Sequence, residues 1–375
     1  MITIYDNSLT QLGIVNNYND FYIKKQLREK GMFSIRIAKN KPGTDLLQIG
    51  NFIKGGQGIS GKIVERLTEQ DSDGQFLTIK GTTLLSLLNQ RVTVEYSGTL
   101  SAETLAKKIV DDNCVNAVDT DRNFANMVTD TDTGAGSNIT LTTKSDPLIK
   151  ILENVLGVDD YGHEIIIEGG QLIYRVIIPT DKTAAVQFSN KVGNINTSKE
   201  VLSNSSYKNF MYVDGDGISS TYGTATGFDR KEGYAKDGRI STTAGLTSKA
   251  LQELNSKYRE TVSVDATLRV TNDFFKYDVD YTLGDFVSIV LNNTVYTVQI
   301  TEYIEQRGAN GRGVKLTFGM PRRGVAEIIT DLEEKVSNQV MSDSSGSASN
   351  LLDGGSPESV YTTEQEISGG DVNGD

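Results

Sequence analysis

The stretch IVERLTEQ-DSDG-QFLTIKG, residues 63–81, has an echo in QITEYIEQ-RGANGRG-VKLTFG, residues 299–319. Each predicts a β-hairpin, because a strand ending in Glu-Gln is followed by a glycine-containing turn and by a second strand that runs through Leu-Thr to a glycine. The match is short and needs a small gap, so chance convergence of two hairpins is the alternative to an internal repeat. A genuine repeat predicts two similar β domains in one chain.

The composition removes most of the side chains that enzymes use. The 375 residues include one cysteine, Cys114, one histidine, His163, and no tryptophan. An intramolecular disulfide and a cysteine-based metal cage are excluded, and general acid–base chemistry loses its commonest residue. We therefore predict a protein that is not an enzyme, with no catalytic residues, no cofactor and no metal.

The net charge of −12 is unevenly distributed. Seven acidic residues and no Lys or Arg lie in residues 342–375, so the rest of the chain carries only −5. It offers no basic stripe for a phosphate backbone, which argues against stable nucleic-acid binding. The N-terminus lacks a signal-peptide pattern and no apolar run is long enough to span a membrane. We expect a soluble protein synthesised in the cytoplasm.

The periodicity along the chain predicts a mainly β fold with an α/β insert. The predicted units are a first tube-like β-barrel domain (1–97), an inserted α/β domain (98–185), a second tube-like β-barrel domain (186–322) with a long polar surface loop (214–248), an amphipathic helix (323–341) and an acidic, flexible Ser/Gly-rich tail (342–375). The first barrel shows alternating strands, and a brief helix is expected over 82–91.

Two helices and a hairpin are predicted inside the insert. Ser101 is the expected cap of the first helix, and Pro147 lies in the first turn of the second. The hairpin turns at Gly169-Gly170. In the C-terminal helix, the apolar face consists of Val325, Ile328, Ile329, Leu332 and Val336. That face packs either on its own barrel or against symmetry mates in a trimer, or on a partner.

Several residues have a chemical and a structural interpretation, and we prefer the structural one. Asp285 is expected to close a turn, His163 to be a structural histidine and Cys114 a buried filler. Residues 130–138 alternate oxygen-bearing side chains as a Ca²⁺ loop does, but they lack the bidentate Glu, so a solvated loop is preferred.

The order of motifs resembles the bacteriophage tail-tip or baseplate hub proteins of siphophages, which are similar to the hub trimers of contractile tails. The motifs are Gly31-x-Phe33-x-Ile35, Gly61-Lys62-Ile63-Val64-Glu65, Gly81 with Leu84, Leu85, Leu87, Leu88 and Arg91, Arg122-Asn123-Phe124, Gln187-Phe188-Ser189 with Asn194, Asn209-Phe210-Met211-Tyr212-Val213-Asp214-Gly215, Asp280-Tyr281-Thr282-Leu283-Gly284-Asp285 and Leu316-Thr317-Phe318-Gly319. Each motif is weak alone, and their shared order over residues 1–322 carries the resemblance.

The resemblance implies a homotrimeric ring in the virion tail that joins the tube to the tip and surrounds the DNA ejection channel. Its expected partners are itself, a distal tail or tube protein above, and a spike, tip or tape-measure protein below or in the lumen, with transient contact to exiting DNA. Because the echo places them similarly, Glu65, Glu69, Glu302 and Glu305 are candidates for lumen or inter-barrel positions.

Two other functions are weighed against the hub. Sixteen tyrosines and many polar loops motivate a tail adhesin that binds cell-wall carbohydrate. A tail-associated hydrolase is motivated only by the setting that the resemblance implies, and no constellation of residues supports it. Binding of the isolated protein to cell-wall glycans separates the adhesin from the hub.

Overall fold

The computed structural model describes residues 1–319, apart from 57, 72–73, 204–205, 259–260, 269–274, 292 and 309–310. The predicted amphipathic helix over 323–341, with its candidate residues, and the predicted tail over 342–375 lie outside the described residues. The described part of the chain is mainly β, as the periodicity predicts.

The first part of the chain builds one four-stranded antiparallel sheet with three flanking strands. Its strands are β1 (Ile2–Tyr5), β2 (Gln11–Val15), β3 (Asp20–Gln26), β4 (Met32–Ala38), β5 (Phe52–Gly55), β6 (Ser60–Asp71) and β7 (Gly74–Thr83). The order is β3-β4-β7-β6, followed by β5, β1 and β2. Strict alternation in β4 buries Phe33, Ile35 and Ile37 on one face. A 3₁₀ helix, Leu84–Gln90, follows and buries all four of its leucines.

The last part of the described chain repeats this arrangement. Its strands are β13 (Gln187–Ser189), β14 (Ile195–Ser203), β18 (Thr261–Leu268), β19 (Phe286–Leu291), β20 (Thr294–Gly308) and β21 (Gly311–Gly319). The order β14-β18-β21-β20 matches β3-β4-β7-β6, and β19 with β13 covers its core. Each sheet has its own hydrophobic cluster.

The two hairpins quoted at the start have the same register. Asp71 pairs with Gly74 in the first, and Gly308 pairs with Gly311 in the second. Each first strand carries one bulge at the same distance from the turn, between Ile63 and Glu65 and between Ile300 and Glu302. Aligned from the turn, the hairpins therefore match residue for residue without the predicted gap, which supports an internal repeat.

The two cores carry one aromatic ring on different strands. Phe33 on β4 lies against Gly61 and Gly81, where an added Cβ on Gly81 would stand 2.1 Å from the Phe33 Cζ atom. Through the shared registers, Phe33 corresponds to Val264 and Gly81 to Phe318. One half thus places its ring on the second strand of the sheet and the other half on the third. The spacing of Phe33, Gly61 and Gly81 in the sequence motifs has this packing as its physical cause.

The two four-stranded sheets join edge to edge inside the chain. Strand β20 pairs antiparallel with β3 from Glu302–Gln26 to Arg307–Phe21, so a sheet of 13 strands runs through both halves. No set of described strands closes into a barrel within one chain. The predicted pair of closed barrels is therefore not found among the described residues, which form two open sheets in continuity.

Between the two sheets, the chain forms a smaller α/β region. Its elements are β8 (Tyr96–Ser101), α1 (Ala102–Val110), β9 (Met127–Thr129), β10 (Asn138–Thr143), α2 (Leu148–Gly157), β11 (Gly162–Glu168) and β12 (Gln171–Ile177). Both predicted helices and the hairpin at Gly169-Gly170 are present, with Ser101 and Pro147 as the residues that precede the helices. Their buried side chains share one cluster with the leucines of the 3₁₀ helix.

The prediction of a long loop over residues 214–248 is wrong. Two strands and the start of a helix occupy this part of the chain: β16 (Ser219–Tyr222), β17 (Glu232–Lys236) and α3 (Thr243–Ser256). They pack with β15 (Phe210–Asp214), which ends where the predicted loop begins. They enclose a small core of Met211, Val213, Ala235, Ile240, Leu246 and Ala250. Strand β16 buries no side chain fully and β17 buries one, which is too few to produce a visible period in a polar sequence.

Candidate assembly interface

One face of the eight central strands is polar, and three ion pairs cross between neighbouring strands on it. Lys24 lies 2.7 Å from Glu302 at the joint between the two sheets. Lys80 lies 2.8 Å from Glu65 in the first sheet, and Lys315 lies 3.1 Å from Asp265 in the second. The opposite face carries the hydrophobic clusters. We call this surface the polar face; its basic and acidic groups largely offset one another.

The four glutamates predicted for lumen or inter-barrel positions separate into two groups. Glu65, Glu69 and Glu302 lie on the polar face, the first two exposed and the third buried against Lys24. Glu305 lies on the apolar side of the joint and is fully buried. Its carboxylate accepts hydrogen bonds from the Tyr303 hydroxyl at 2.6 Å, from Arg307 Nε at 2.6 Å and from Arg312 Nε at 2.9 Å.

The echo misplaced one pair of these glutamates by a single residue. Counted from the paired ends of the hairpins, Glu65 corresponds to Glu302, but Glu69 corresponds to Gln306 and Glu305 to Thr68. Side chains alternate between the faces of a strand, so a one-residue shift moves a side chain to the other face. Glu69 and Glu305 therefore lie on opposite faces although both precede a glutamine.

Behind the joint, a buried network of charged and aromatic side chains ties β3 to its neighbours. The Tyr277 and Tyr303 rings are stacked with their centres 4.0 Å apart, and the Lys25 Nζ atom lies 5.4 Å from the Tyr277 centre. Burial alone would lower the pKa of Lys25, but Tyr277 and Glu164 more than offset this and hold it above its ordinary value. Glu164 Oε2 lies 3.7 Å from this ammonium. The joint is thus held by side chains as well as by the backbone ladder.

The four-stranded sheets each have an open stretch of backbone on the side away from the joint. Strand β14 pairs with β18 on one side only. Strand β6 pairs with β5 through residues 60–62, and beyond its bulge it pairs only with β7. Residues 65–71 therefore present unpaired backbone groups. Open strand edges of this length are templates for pairing with another chain.

The single histidine and the single cysteine are both buried. His163 is fully buried, with Nδ1 at 3.2 Å from the Tyr174 hydroxyl and Nε2 at 2.8 Å from the Arg28 carbonyl oxygen. Burial lowers the pKa of His163 to about 4. Burial raises the pKa of the Cys114 thiol to about 12, so the thiol stays protonated at neutral pH.

The other candidate motifs also make structural contacts. Asp285 accepts backbone hydrogen bonds from Thr282 at 2.8 Å and Thr180 at 3.2 Å, as expected of a turn residue. The buried Glu103 carboxylate holds the loop around Thr133 through that residue's amide and hydroxyl. Burial raises the pKa of Glu103, but hydrogen bonds from Lys107, the Thr133 hydroxyl and the Ala135 amide outweigh it and lower the pKa to about 2. Within the described residues no cluster of His, Cys, Asp and Glu has the geometry of a metal site.

No helix in the described part of the chain is long and apolar enough to cross a membrane.

The exposed face of the small β15–β17 sheet is aromatic. Tyr212 and Tyr234 are register partners on adjacent strands and are 40% and 56% exposed. Their hydroxyls are fixed, since Tyr212 bonds to Arg230 at 2.6 Å and Tyr234 donates to Asp214 at 2.8 Å. These bonds hold both rings in place on the surface.

Three solved structures share this fold. The 43 kDa tail protein of prophage MuSo2 from Shewanella oneidensis has 10% sequence identity and a TM-score of 0.56, covering 84% of this chain and 97% of that one. The tail protein from Neisseria meningitidis MC58 has 11% identity and a TM-score of 0.56, with 85% and 95% covered. Prophage tail protein gp18 from Listeria monocytogenes EGD-e has 13% identity and a TM-score of 0.53, with 90% and 99% covered.

No curated protein matches the chain. A family profile, the Siphovirus ReqiPepy6 Gp37-like protein, matches residues 1–320 and so includes both sheets and everything between them. The resemblance to siphophage tail proteins that the motif order indicated is confirmed. The chain belongs to the Siphovirus ReqiPepy6 Gp37-like protein family and has the fold of phage tail proteins.

Proposed function

We propose that this protein is a structural, non-enzymatic hub of the phage tail that forms a homotrimeric ring between the six-fold tube and the three-fold tip. The observation that carries the proposal is the repeat: two four-stranded sheets of the same strand order and hairpin register, joined edge to edge by β20 and β3. One chain then supplies two similar four-stranded sheets around an axis, and three chains supply six, which matches the six-fold tube.

The open edges supply the contact that such a ring needs. In the described chain β14 and the part of β6 beyond its bulge are the open outer edges of the two four-stranded sheets. Pairing β6 of one copy with β14 of the next would extend the sheet around the axis and close a barrel between subunits. The described strands of one chain close no barrel, which fits this arrangement, since closure removes open edges only when the ring is complete.

In this ring the polar face lines the lumen. Glu65, Glu69 and Glu302 are our proposed wall residues, whereas the burial of Glu305 makes it a residue of the joint. Ion pairs such as Lys24–Glu302 leave few uncompensated cations to hold exiting DNA. We propose a distal tail or tube protein above, and a spike, tip or tape-measure protein below or in the lumen, as the neighbours.

Native mass spectrometry and negative-stain imaging of the full chain test the proposal together. The expected result is a trimer, seen as a ring with a central channel wide enough for a DNA duplex. A monomer that stays monomeric when its tail partners are added would overturn the hub.

A carbohydrate-binding adhesin is a second candidate, favoured by the aromatic face of the β15–β17 sheet. Sugar rings stack on exposed aromatic side chains, and the carboxylates beside Tyr212 and Tyr234 suit sugar hydroxyls. Binding of the isolated protein to cell-wall glycan fragments, lost in Tyr212→Ala/Tyr234→Ala but kept in Phe228→Ala, would support it. Glycan binding that persists in the double variant, or is absent from the wild type, would exclude this face as the sugar site.

A further inference from the structure

The internal repeat specifies how two copies of this chain pair, residue by residue. This inference rests on the proposed ring and adds the register of its contact. The hairpin alignment makes Ile79 equivalent to Leu316. Ile79 pairs with Ile35 and Leu316 with Ala266, so β4 is equivalent to β18. Every strand of one sheet then has an assigned counterpart in the other.

Comparing the strand pairs in the same way shows which outer strands are equivalent. Ile35 pairs with Phe21 and Ala266 pairs with Ser198, which makes Phe21 on β3 equivalent to Ser198 on β14. Tyr22 then corresponds to Lys199 and Ile23 to Glu200. The joint inside the chain therefore becomes a template for the joint between chains, with β6 in place of β20 and β14 in place of β3.

We infer that β6 of one copy pairs antiparallel with β14 of the next, with Glu69 directly opposite Lys199. Inside the chain Gln306 pairs with Tyr22, and Glu69 and Lys199 are the residues equivalent to these two. The same register sets Thr68 opposite Glu200 and Gln70 opposite Ser198.

Charge complementarity on both faces agrees with this register. Glu69 and Lys199 carry opposite charges, face the polar side and are exposed in the single chain. On the other face, Arg66 of β6 lies diagonally across from Glu200 of β14. Neither Arg66 nor Lys199 has an ion-pair partner among the described residues. One carboxylate oxygen of Glu200 is buried there without a hydrogen-bond partner, which an incoming arginine would supply.

A slip in register would lose this complementarity. Moving β14 by two residues places Glu69 opposite Thr197 or Val201, neither of which is charged. Moving it by one residue places Glu69 opposite Ser198 or Glu200 and turns the polar side chains of one strand towards the apolar face of the other.

Cysteine cross-linking of the full chain reads the register directly. Residues directly opposite in an antiparallel pair have Cβ atoms about 4.5–5.5 Å apart, close to disulfide geometry, whereas a two-residue offset is too far. Glu69→Cys/Lys199→Cys should form a covalent trimer under mild oxidation. The matched control, Glu69→Cys/Thr197→Cys, should remain largely unlinked. The native Cys114 is buried and does not compete.

Charge reversal is the second readout. Glu69→Lys should weaken the trimer on the order of a hundredfold, because three interfaces each exchange an attractive pair for a repulsive one. Glu69→Lys/Lys199→Glu should restore most of the loss. A trimer that links through 69 and 197, or that the double reversal does not restore, overturns the register and leaves the hub standing. A wild-type chain that never leaves the monomeric state overturns both.

Discussion

Gly81→Ala is the substitution whose cost follows most directly from the packing around it. The added Cβ would stand 2.1 Å from Phe33 Cζ, 2.3 Å from Phe33 Cε1 and 2.4 Å from the carbonyl oxygen of Lys62. Non-bonded carbons prefer about 3.5–4.0 Å, so each contact must lengthen by more than about 1 Å. The Phe33 ring can turn within its cluster, but the Lys62 carbonyl belongs to the strand backbone and cannot turn away alone.

The expected loss lies at the upper end of the range for overpacked cores. Such substitutions typically cost about 1–3 kcal/mol, and the backbone contact places this one at about 3 kcal/mol. A loss of that size lowers the melting temperature by about 6–12 °C in domains of 150–250 residues. Urea unfolding followed by circular dichroism gives the free energy, and a thermal scan gives the melting temperature.

A second substitution separates the two contacts. Phe33→Leu shortens the side chain and relieves the ring contact but leaves the Lys62 carbonyl in place, so Phe33→Leu/Gly81→Ala should lose at least about 1 kcal/mol less than the sum of the single losses. Gly238→Ala is the control, since nothing lies within 4 Å of its added Cβ and the change should stay within about 0.5 kcal/mol. A Gly81→Ala protein as stable as that control, or a double variant with fully additive losses, would refute the packing argument.

Three further predictions concern buried groups. Glu305→Ala should lower the free energy of unfolding in urea by about 2 kcal/mol, because Tyr303 and Arg307 lose a buried acceptor. The loss is limited because the partly exposed Arg307 can rehydrate. An unchanged free energy would contradict the network. His163 is neutral in the fold down to pH about 4, whereas the unfolded chain binds its proton near pH 6.5. The unfolded state therefore holds more protons in this window, and about 3 kcal/mol of stability should vanish as pH falls through it. His163→Gln should remove that part of the pH dependence in unfolding titrations, and an unchanged profile would assign it elsewhere. Cys114 should react with a thiol reagent only after unfolding, so labelling of the native protein at the unfolded rate would contradict its burial.

The sequence predicted the elements whose own residues show a clear hydrophobic period or a glycine turn. Helices α1 and α2 and the hairpin at Gly169-Gly170 carry a strong period or a turn that needs positive φ, and all three are present. Strands β16 and β17 were missed because they are short and bury only one side chain between them. Local pattern thus sufficed where an element is long and amphipathic.

The candidate interface was only partly predictable for two physical reasons. The echo aligned two Glu-Gln pairs by identity, but the bulges at Ile63 and Ile300 set the true alignment, and it differs by one residue. The pairing of β20 with β3 joins strands far apart in the chain, and neither strand carries a residue pattern that names its partner. The face on which each glutamate lies therefore depends on the bulges and on long-range pairing, which the local sequence pattern does not contain.

The contact between β20 and β3 has a consequence for how assembly stops. The two edges that we propose to pair belong to different strands, so copies add head to tail, and such growth either closes on itself or continues as an endless fibre. In the proposed ring, every second step is already made inside the folded chain, with its twist and curvature set before any copies meet. The joint inside each subunit then sets the curvature of the ring. A variant that changes the angle at this joint should change the number of copies in the ring, or convert rings into fibres.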